Sequence, residues 1–184
     1  PVAGQGDNDY TIKLADKSKK VIVVGGGVAG VEAARIAAMR GHQVDLYEKS
    51  NRIGGQFNYA IAPPNKDNFK PLLPWMEYQL EKYHVNVHLN TEINADQISE
   101  MNPDVVICAT GLKPAKLPIT GFERAINAKE VLGGAKTGKD VVIIGGGSVG
   151  IETAELIAQE EDKNITIIEM TDTIALNMVN CTRT

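Results

Sequence analysis

Cysteine is scarce: Cys108 and Cys181 are the two in 184 residues. They stand far apart and form no C-x-x-C pair, which excludes a disulphide framework and a dithiol relay and favours a reducing, cytoplasmic setting. Long apolar runs are missing too; none approaches the roughly 20 residues of a membrane span. The stretch 1–20 lacks the apolar core of a secretion signal, and it begins without Met, as a processed or excised start would. Nor is there an excess of positive charge. The net charge is −4 without a long single-sign run, so no basic patch offers itself to nucleic acid. What remains is 43% apolar and 23% charged residues, the composition of a soluble globular protein of one domain or two small ones.

Glycine, by contrast, is plentiful and placed in a pattern. Val21–Val24 is a short β-branched run, expected as a buried strand, that ends in glycines. From Val28 to Arg40 small, apolar and helix-forming residues predict a helix, stopped by Gly41. "QVDLYE" (43–48) is expected as a second strand. Strand, glycine turn, helix and strand make a βαβ unit with parallel strands. A proline-bearing loop (62–74) leads to a helix through "WMEYQLEKYH", then a strand "VNVHLN", a capped helical turn "NADQISEMNP" and a buried strand "DVVICATG". "LKPAKLPITGFE" reads as a linker, and "AKEVLGG" as a short helix. Then the opening phrase restarts: strand 141–144, helix 148–159, strand "NITIIE". The fold class expected is α/β: a Rossmann-like domain over 20–133 behind a lead of 1–19, and a second, incomplete βαβ unit over 134–184.

The two phrases, "VIVVGGGVAG" and "VVIIGGGSVG", align Gly25, Gly27 and Gly30 with Gly145, Gly147 and Gly150, and Glu48 with Glu169. A lone G-x-G-x-x-G is weak. Here each copy follows a strand, opens a helix, and has an acidic residue roughly 20 positions on, which is the full dinucleotide-binding context. In that context the first glycine allows the tight turn, the second lets a pyrophosphate approach the backbone, and the third lets helix and strand pack closely. The helix start offers N–H groups and a positive dipole end to phosphate. The carboxylate accepts ribose hydroxyls. At Glu169 it would repel a 2′-phosphate, and Met170 and Thr171 supply no arginine, so NADH is preferred over NADPH.

Together with "KSNRIGGQ" (49–56) and "ATG" (109–111), these pieces resemble the two-dinucleotide-binding-domain flavoproteins. More narrowly, "YEKSNRIGGQFNYAIAPPNKDNF" and "IIEMTDTIAL" are similar to the C-terminal half of old yellow enzyme-related iron–sulfur flavoproteins: 2-enoate reductases, 2,4-dienoyl-CoA reductases and trimethylamine dehydrogenase-like enzymes. The resemblance implies that Gly25, Gly27, Val28, Ala29, Gly30, Glu48, Lys49, Arg52, Gly55, Gln56, Ala109, Thr110 and Gly111 line an FAD site. It implies that Gly145, Gly147, Ser148, Gly150 and Glu169 line an NADH site. It also implies a larger parent, with an N-terminal barrel carrying FMN and a [4Fe–4S] cluster that receives electrons from FAD. Neither the barrel nor a cluster ligand set is in this sequence, and the segment that returns to the FAD domain after the NADH domain is missing as well. The expectation is a fragment of an NADH-dependent enoate-reductase-like oxidoreductase, inactive alone, whose partners are the absent barrel and cluster domain and, as a homo-oligomer, further copies. The alternative is a binding module that holds only ADP.

Other residues take structural readings. Cys108, in an apolar strand, is expected as a buried core thiol, and Cys181 lies in an unpatterned tail. His42 follows a helix-ending glycine. His84 and His88, four apart in an extended segment, are too distant to share a metal. Trp75 and Tyr78 are expected to pack on a core. No catalytic acid, nucleophile or metal ligand is required, because the cofactors carry the redox chemistry.

Overall fold

A computed structural model of the chain describes residues 11–114 and 116–175. Cys181 and the first ten residues lie outside these. The described residues form two compact units, one of 11–57 with 71–112, the other of 58–70 with 113–175.

The first unit is built on four parallel strands: β1 (Lys20–Val24), β2 (Gln43–Tyr47), β3 (Asn86–His88) and β4 (Val105–Cys108), in the order β3-β2-β1-β4. The β-branched run "VIV" puts β1 in the middle, where Val21, Ile22 and Val23 are all buried. Helix α1 (Val28–Met39) packs on one face of this sheet through Gly30, Val31, Ala34 and Ala37. These are small side chains, which let the helix lie close to Val21, Val23, Val44 and Leu46. Gly41, in the left-handed region at φ 86°, ends the helix and turns the chain into β2. The short helix α4 (Ala95–Glu100) and the longer α3 (Leu72–Lys82) complete the unit's elements, while the short α2 (Phe57–Ala60) falls, but for Phe57, in the second unit. The α4 start is a capping box: Asn94 accepts from the Gln97 N–H, and the Gln97 side chain accepts from the Asn94 N–H.

Three expectations need correction. The helix expected from Trp75 begins at Leu72, because Pro71 and Pro74 fall at its cap and first turn, where a missing N–H is harmless. Its buried face is Met76, Gln79 and Leu80, so Trp75 and Tyr78 point outward, 43% and 58% exposed. Trp75 instead lies 5.7 Å from the Arg35 guanidinium, which Glu32 holds from the neighbouring turn. Cys108 is exposed, not buried. β4 is the sheet's edge strand, and its side chains alternate, with Val105 and Ile107 turned inward and Val106 and Cys108 outward. The histidines do take structural roles: His88 stacks on Tyr47 and meets Asp45 at 2.9 Å, while His42 accepts from the Lys19 N–H.

The second unit pairs β5 (Asp140–Ile144) with β6 (Asn164–Ile168) in parallel. Helices α5 (Ala128–Leu132) and α6 (Ser148–Ile157) accompany them, and α5 begins with an Asn127–Glu130 capping box. Both strands alternate, so Val141, Ile143, Ile165 and Ile167 are the half-buried residues while Val142, Ile144 and Ile168 are exposed. The segment 58–70 is tied to α6 by a Lys66–Glu152 ion pair at 2.8 Å.

Candidate functional site: two glycine turns

In the first unit the strand order reverses between β1 and β4, the point in an open parallel sheet where ligands bind at the strands' carboxyl ends. The glycine turn stands there, and its three glycines do different work. A Cβ on Gly25 would lie 2.3 Å from the Ala109 carbonyl oxygen, and one on Gly30 would lie 1.8 Å from the Gly25 oxygen. These two let β1, α1 and the 109–111 turn close on one another. A Cβ on Gly27 would meet only the Gly55 Cα, at 4.0 Å. Gly27 therefore leaves space, and it does so where α1 begins without any side-chain cap. The first intrahelical bond runs from the Val31 N–H to the Gly27 carbonyl, so Val28, Ala29 and Gly30 have N–H groups with no intrahelical partner, at the positive end of the helix. Open space beside such donors fits a pyrophosphate.

Glu48, at the end of β2, closes the turn from the other side. One carboxylate oxygen accepts the Gly26 N–H at 2.6 Å; the other accepts the Ser50 N–H at 2.8 Å and the Ser50 hydroxyl. The loop after it returns to the glycines: the Gly54 N–H donates to the Gly26 carbonyl at 2.8 Å, and a Cβ on Gly55 would lie 2.9 Å from the Gly27 Cα. Gly25, Gly27, Val28, Ala29, Gly30, Glu48, Gly55 and Ala109 are thus brought together. Lys49, Arg52 and Thr110 are exposed beside them, and the Gln56 side chain reaches the Leu112 carbonyl at a long 3.5 Å. Gly111 follows in the left-handed region.

Burial pushes the Glu48 carboxyl up, but the Ser50 hydroxyl and N–H, the Gly26 N–H and Lys49 outweigh it, and the group titrates below the usual carboxylate range. A carboxyl whose folded value is depressed adds stability above its unfolded value, and that stability is lost as pH falls through the folded value. The chain is therefore expected to lose urea resistance below the ordinary carboxylate range, and Glu48→Gln to flatten that part of the profile. An acid limb unchanged in the Gln variant would place the sensitivity elsewhere.

The second turn repeats the first down to single bonds. The Gly145 N–H donates to the Ile168 carbonyl at 2.8 Å, as Gly25 does to Tyr47. The Gly146 N–H donates to Glu169 at 2.7 Å, and the other Glu169 oxygen accepts the Thr171 N–H and hydroxyl at 3.0 and 3.1 Å. These same donors hold the Glu169 carboxyl low. The Ala175 N–H donates to the Gly146 carbonyl, as Gly54 does to Gly26. A Cβ on Gly150 would lie 1.9 Å from the Gly145 oxygen, while one on Gly147 would meet nothing within 4 Å. Ser148 opens α6 after Gly147, again with no side-chain cap. One difference stands out: a Cβ on Gly145 also meets nothing within 4 Å, whereas Gly25 is pressed against Ala109.

Sequence reasoning missed the middle glycines, Gly26 and Gly146, and the hydroxyl residues, Ser50 and Thr171. The signal was present. "EKSNRIG" and "EMTDTIA" share their Glu, hydroxyl and Ile positions, which extends the repeat past the glutamates. Elsewhere, a groove of about 710 Å³ lies at the opposite end of β1, lined by residues such as Val21, Ala37, Arg40, His42 and Ile107. It has neither glycine turn nor helix start. Among the described residues no His, Cys, Asp or Glu cluster could hold a metal, and no helix is long and apolar enough to cross a membrane.

A parallel Rossmann-like sheet with a glycine turn and carboxylate clamp defines a dinucleotide-binding protein. The particular family follows from comparison. The family model for pyridine nucleotide-disulphide oxidoreductases matches residues 19–181, and the chain belongs to that family. It is 42% identical over 175 residues to a cinnamate reductase of Clostridium sporogenes, covering 95% of this chain and 26% of that protein. It is 43% identical over 185 residues to an NADH oxidase of Thermoanaerobacter brockii, covering 97% and 28%. Among solved structures, a 2-naphthoyl-CoA reductase complex superposes with a TM-score of 0.86 at 39% identity, covering 92% of this chain and 26% of that one. The chain thus spans about a quarter of the length of the relatives it matches. These findings place it among the Rossmann-like flavoprotein oxidoreductases, with FAD and NADH as the cofactors they support.

Proposed function

We propose that this chain is the electron-entry part of a larger enoate-reductase-like enzyme. In this reading the first turn holds FAD and the second holds NADH. When bound, NADH would supply a hydride and FAD would accept it, and a parent with an iron–sulfur cluster and an FMN-bearing barrel would receive the electrons. The chain's own residues bind and orient. The N–H groups of Val28, Ala29 and Gly30 face the FAD pyrophosphate, those of Ser148, Val149 and Gly150 face that of NADH, and Glu48 and Glu169 accept from the adenosine riboses. A carboxylate held charged at Glu169 repels a 2′-phosphate, which favours NADH over NADPH.

The observation that carries this reading is the duplicated clamp. Two turns with the same glycines, the same glutamate and the same return bond are more than one nucleotide needs. It is tested by reconstituting the chain with FAD, removing excess, and identifying the nucleotide released on denaturation. FAD release with a yellow protein supports the reading. A colourless chain that retains only ADP supports instead a binding module without redox function.

A further inference from the structure

The two clamps share a part to which the nucleotide-binding pattern gives no role. A carboxylate offers about four acceptor positions. In Glu169 one oxygen accepts the Gly146 N–H and the other the Thr171 N–H and hydroxyl, and the Met170 N–H also acts on the carboxylate. Glu48 is held in the same way by Gly26 and Ser50. Both oxygens of each carboxylate are therefore held, and the clamp sets the direction of the oxygen that faces the glycine turn. Each hydroxyl has a single proton, which lies between the carboxylate and a backbone carbonyl, that of Arg52 at 3.1 Å from the Ser50 oxygen and that of Thr173 at 3.0 Å from the Thr171 oxygen. The same arrangement in both turns points to a shared task. A glutamate carboxylate rotates freely about its last bond unless both oxygens are held. Here that rotation is stopped before any ribose arrives, which lowers the ordering cost of binding.

We propose that Ser50 and Thr171 are positioning residues that fix the ribose-accepting carboxylates of Glu48 and Glu169, and that Thr171 thereby sets the preference for NADH over NADPH. The proposal rests on the assignment of FAD to the first turn and NADH to the second. Thr171→Val keeps the shape and the N–H but removes the hydroxyl. With one charge-assisted hydrogen bond lost, NADH dissociation is expected to rise about fivefold. NADPH gains nothing from the fixed carboxylate, so its affinity stays level or improves and the NADH:NADPH ratio falls. Thr171→Ser restores the ratio, and FAD binding does not change. Ser50→Ala mirrors this, raising FAD dissociation about fivefold while NADH binding stays level, with Ser50→Thr restoring it.

Calorimetric or fluorescence titration of the 184-residue chain with FAD, NADH and NADPH reads all of these, with Glu48→Ala and Glu169→Ala as references. Thr171→Val with an unchanged NADH:NADPH ratio, where Glu169→Ala shifts it, overturns the positioning role and leaves the site assignment standing. Equal losses of NADH and NADPH in Thr171→Val, unrescued by Ser, also overturn it, since that is the mark of a structural residue. If Glu169→Ala itself leaves NADH binding untouched, the site assignment fails and the proposal fails with it.

Discussion

Gly27→Val folds with the wild-type Tm and binds FAD about a hundredfold more weakly, the equivalent of one or two charge-assisted hydrogen bonds. The backbone permits the substitution. Gly27 has φ −70° and ψ 177°, an extended conformation in which a β-branched residue is at ease. Its Cβ meets nothing closer than the Gly55 Cα at 4.0 Å. The space it fills is the approach to the N–H groups of Val28, Ala29 and Gly30, where a pyrophosphate oxygen needs hydrogen-bond distance. NADH binding stays level, because the second turn has its own open position at Gly147. Thermal melts and parallel FAD and NADH titrations check this. Unchanged FAD binding by a folded Gly27→Val chain contradicts the first turn as the FAD site.

Gly30→Ala does the opposite: it destabilises the first unit. The added methyl would sit 1.8 Å from the Gly25 carbonyl oxygen and 3.2 Å from the Ala109 Cβ. The atoms in the way are mostly backbone, so no rotamer change relieves the clash, and α1 must lift from β1. The cost expected is about 3 kcal/mol, the upper end for an overpacked core, a large share of the roughly 5–15 kcal/mol that holds a domain folded. Urea unfolding followed in the first unit reads it directly. A Gly30→Ala chain with wild-type stability would show that α1 and β1 are not packed as described. The two glycines three positions apart are thus separable, one by ligand binding and the other by folding.

The sequence made this architecture legible where pattern and chemistry coincide. The β-branched "VIVV" and "VVII" runs ending in glycine, the small-residue helix after each and the glutamate beyond admit one local fold, and β1–α1–β2 and β5–α6–β6 follow it. What stayed hidden depends on neighbours that only the topology supplies. Cys108 reads as core because its strand is apolar; it is exposed because β4 has a neighbour on one side alone. Trp75 and Tyr78 read as core because aromatics usually are; they face out because Met76, Gln79 and Leu80 already fill the stripe that α3 turns inward. The clamp at Glu48 was hidden for another reason. Reading the carboxylate only as a ribose acceptor overlooks that it first has to be held, and Ser50 looks like an ordinary turn residue until its hydroxyl is seen on the carboxylate.

The claim on which the account turns is that one chain holds both ends of a hydride transfer. The direct test is to reconstitute the chain with FAD under anaerobic conditions and add NADH while following the flavin's visible absorbance. Although the chain alone is expected to be inactive as a reductase of the parent's substrate, the account predicts bleaching of its flavin by one equivalent of NADH, slower and weaker with NADPH, and lost in Glu169→Ala at low NADH. A flavin that is bound but stays oxidised in the presence of excess NADH contradicts it.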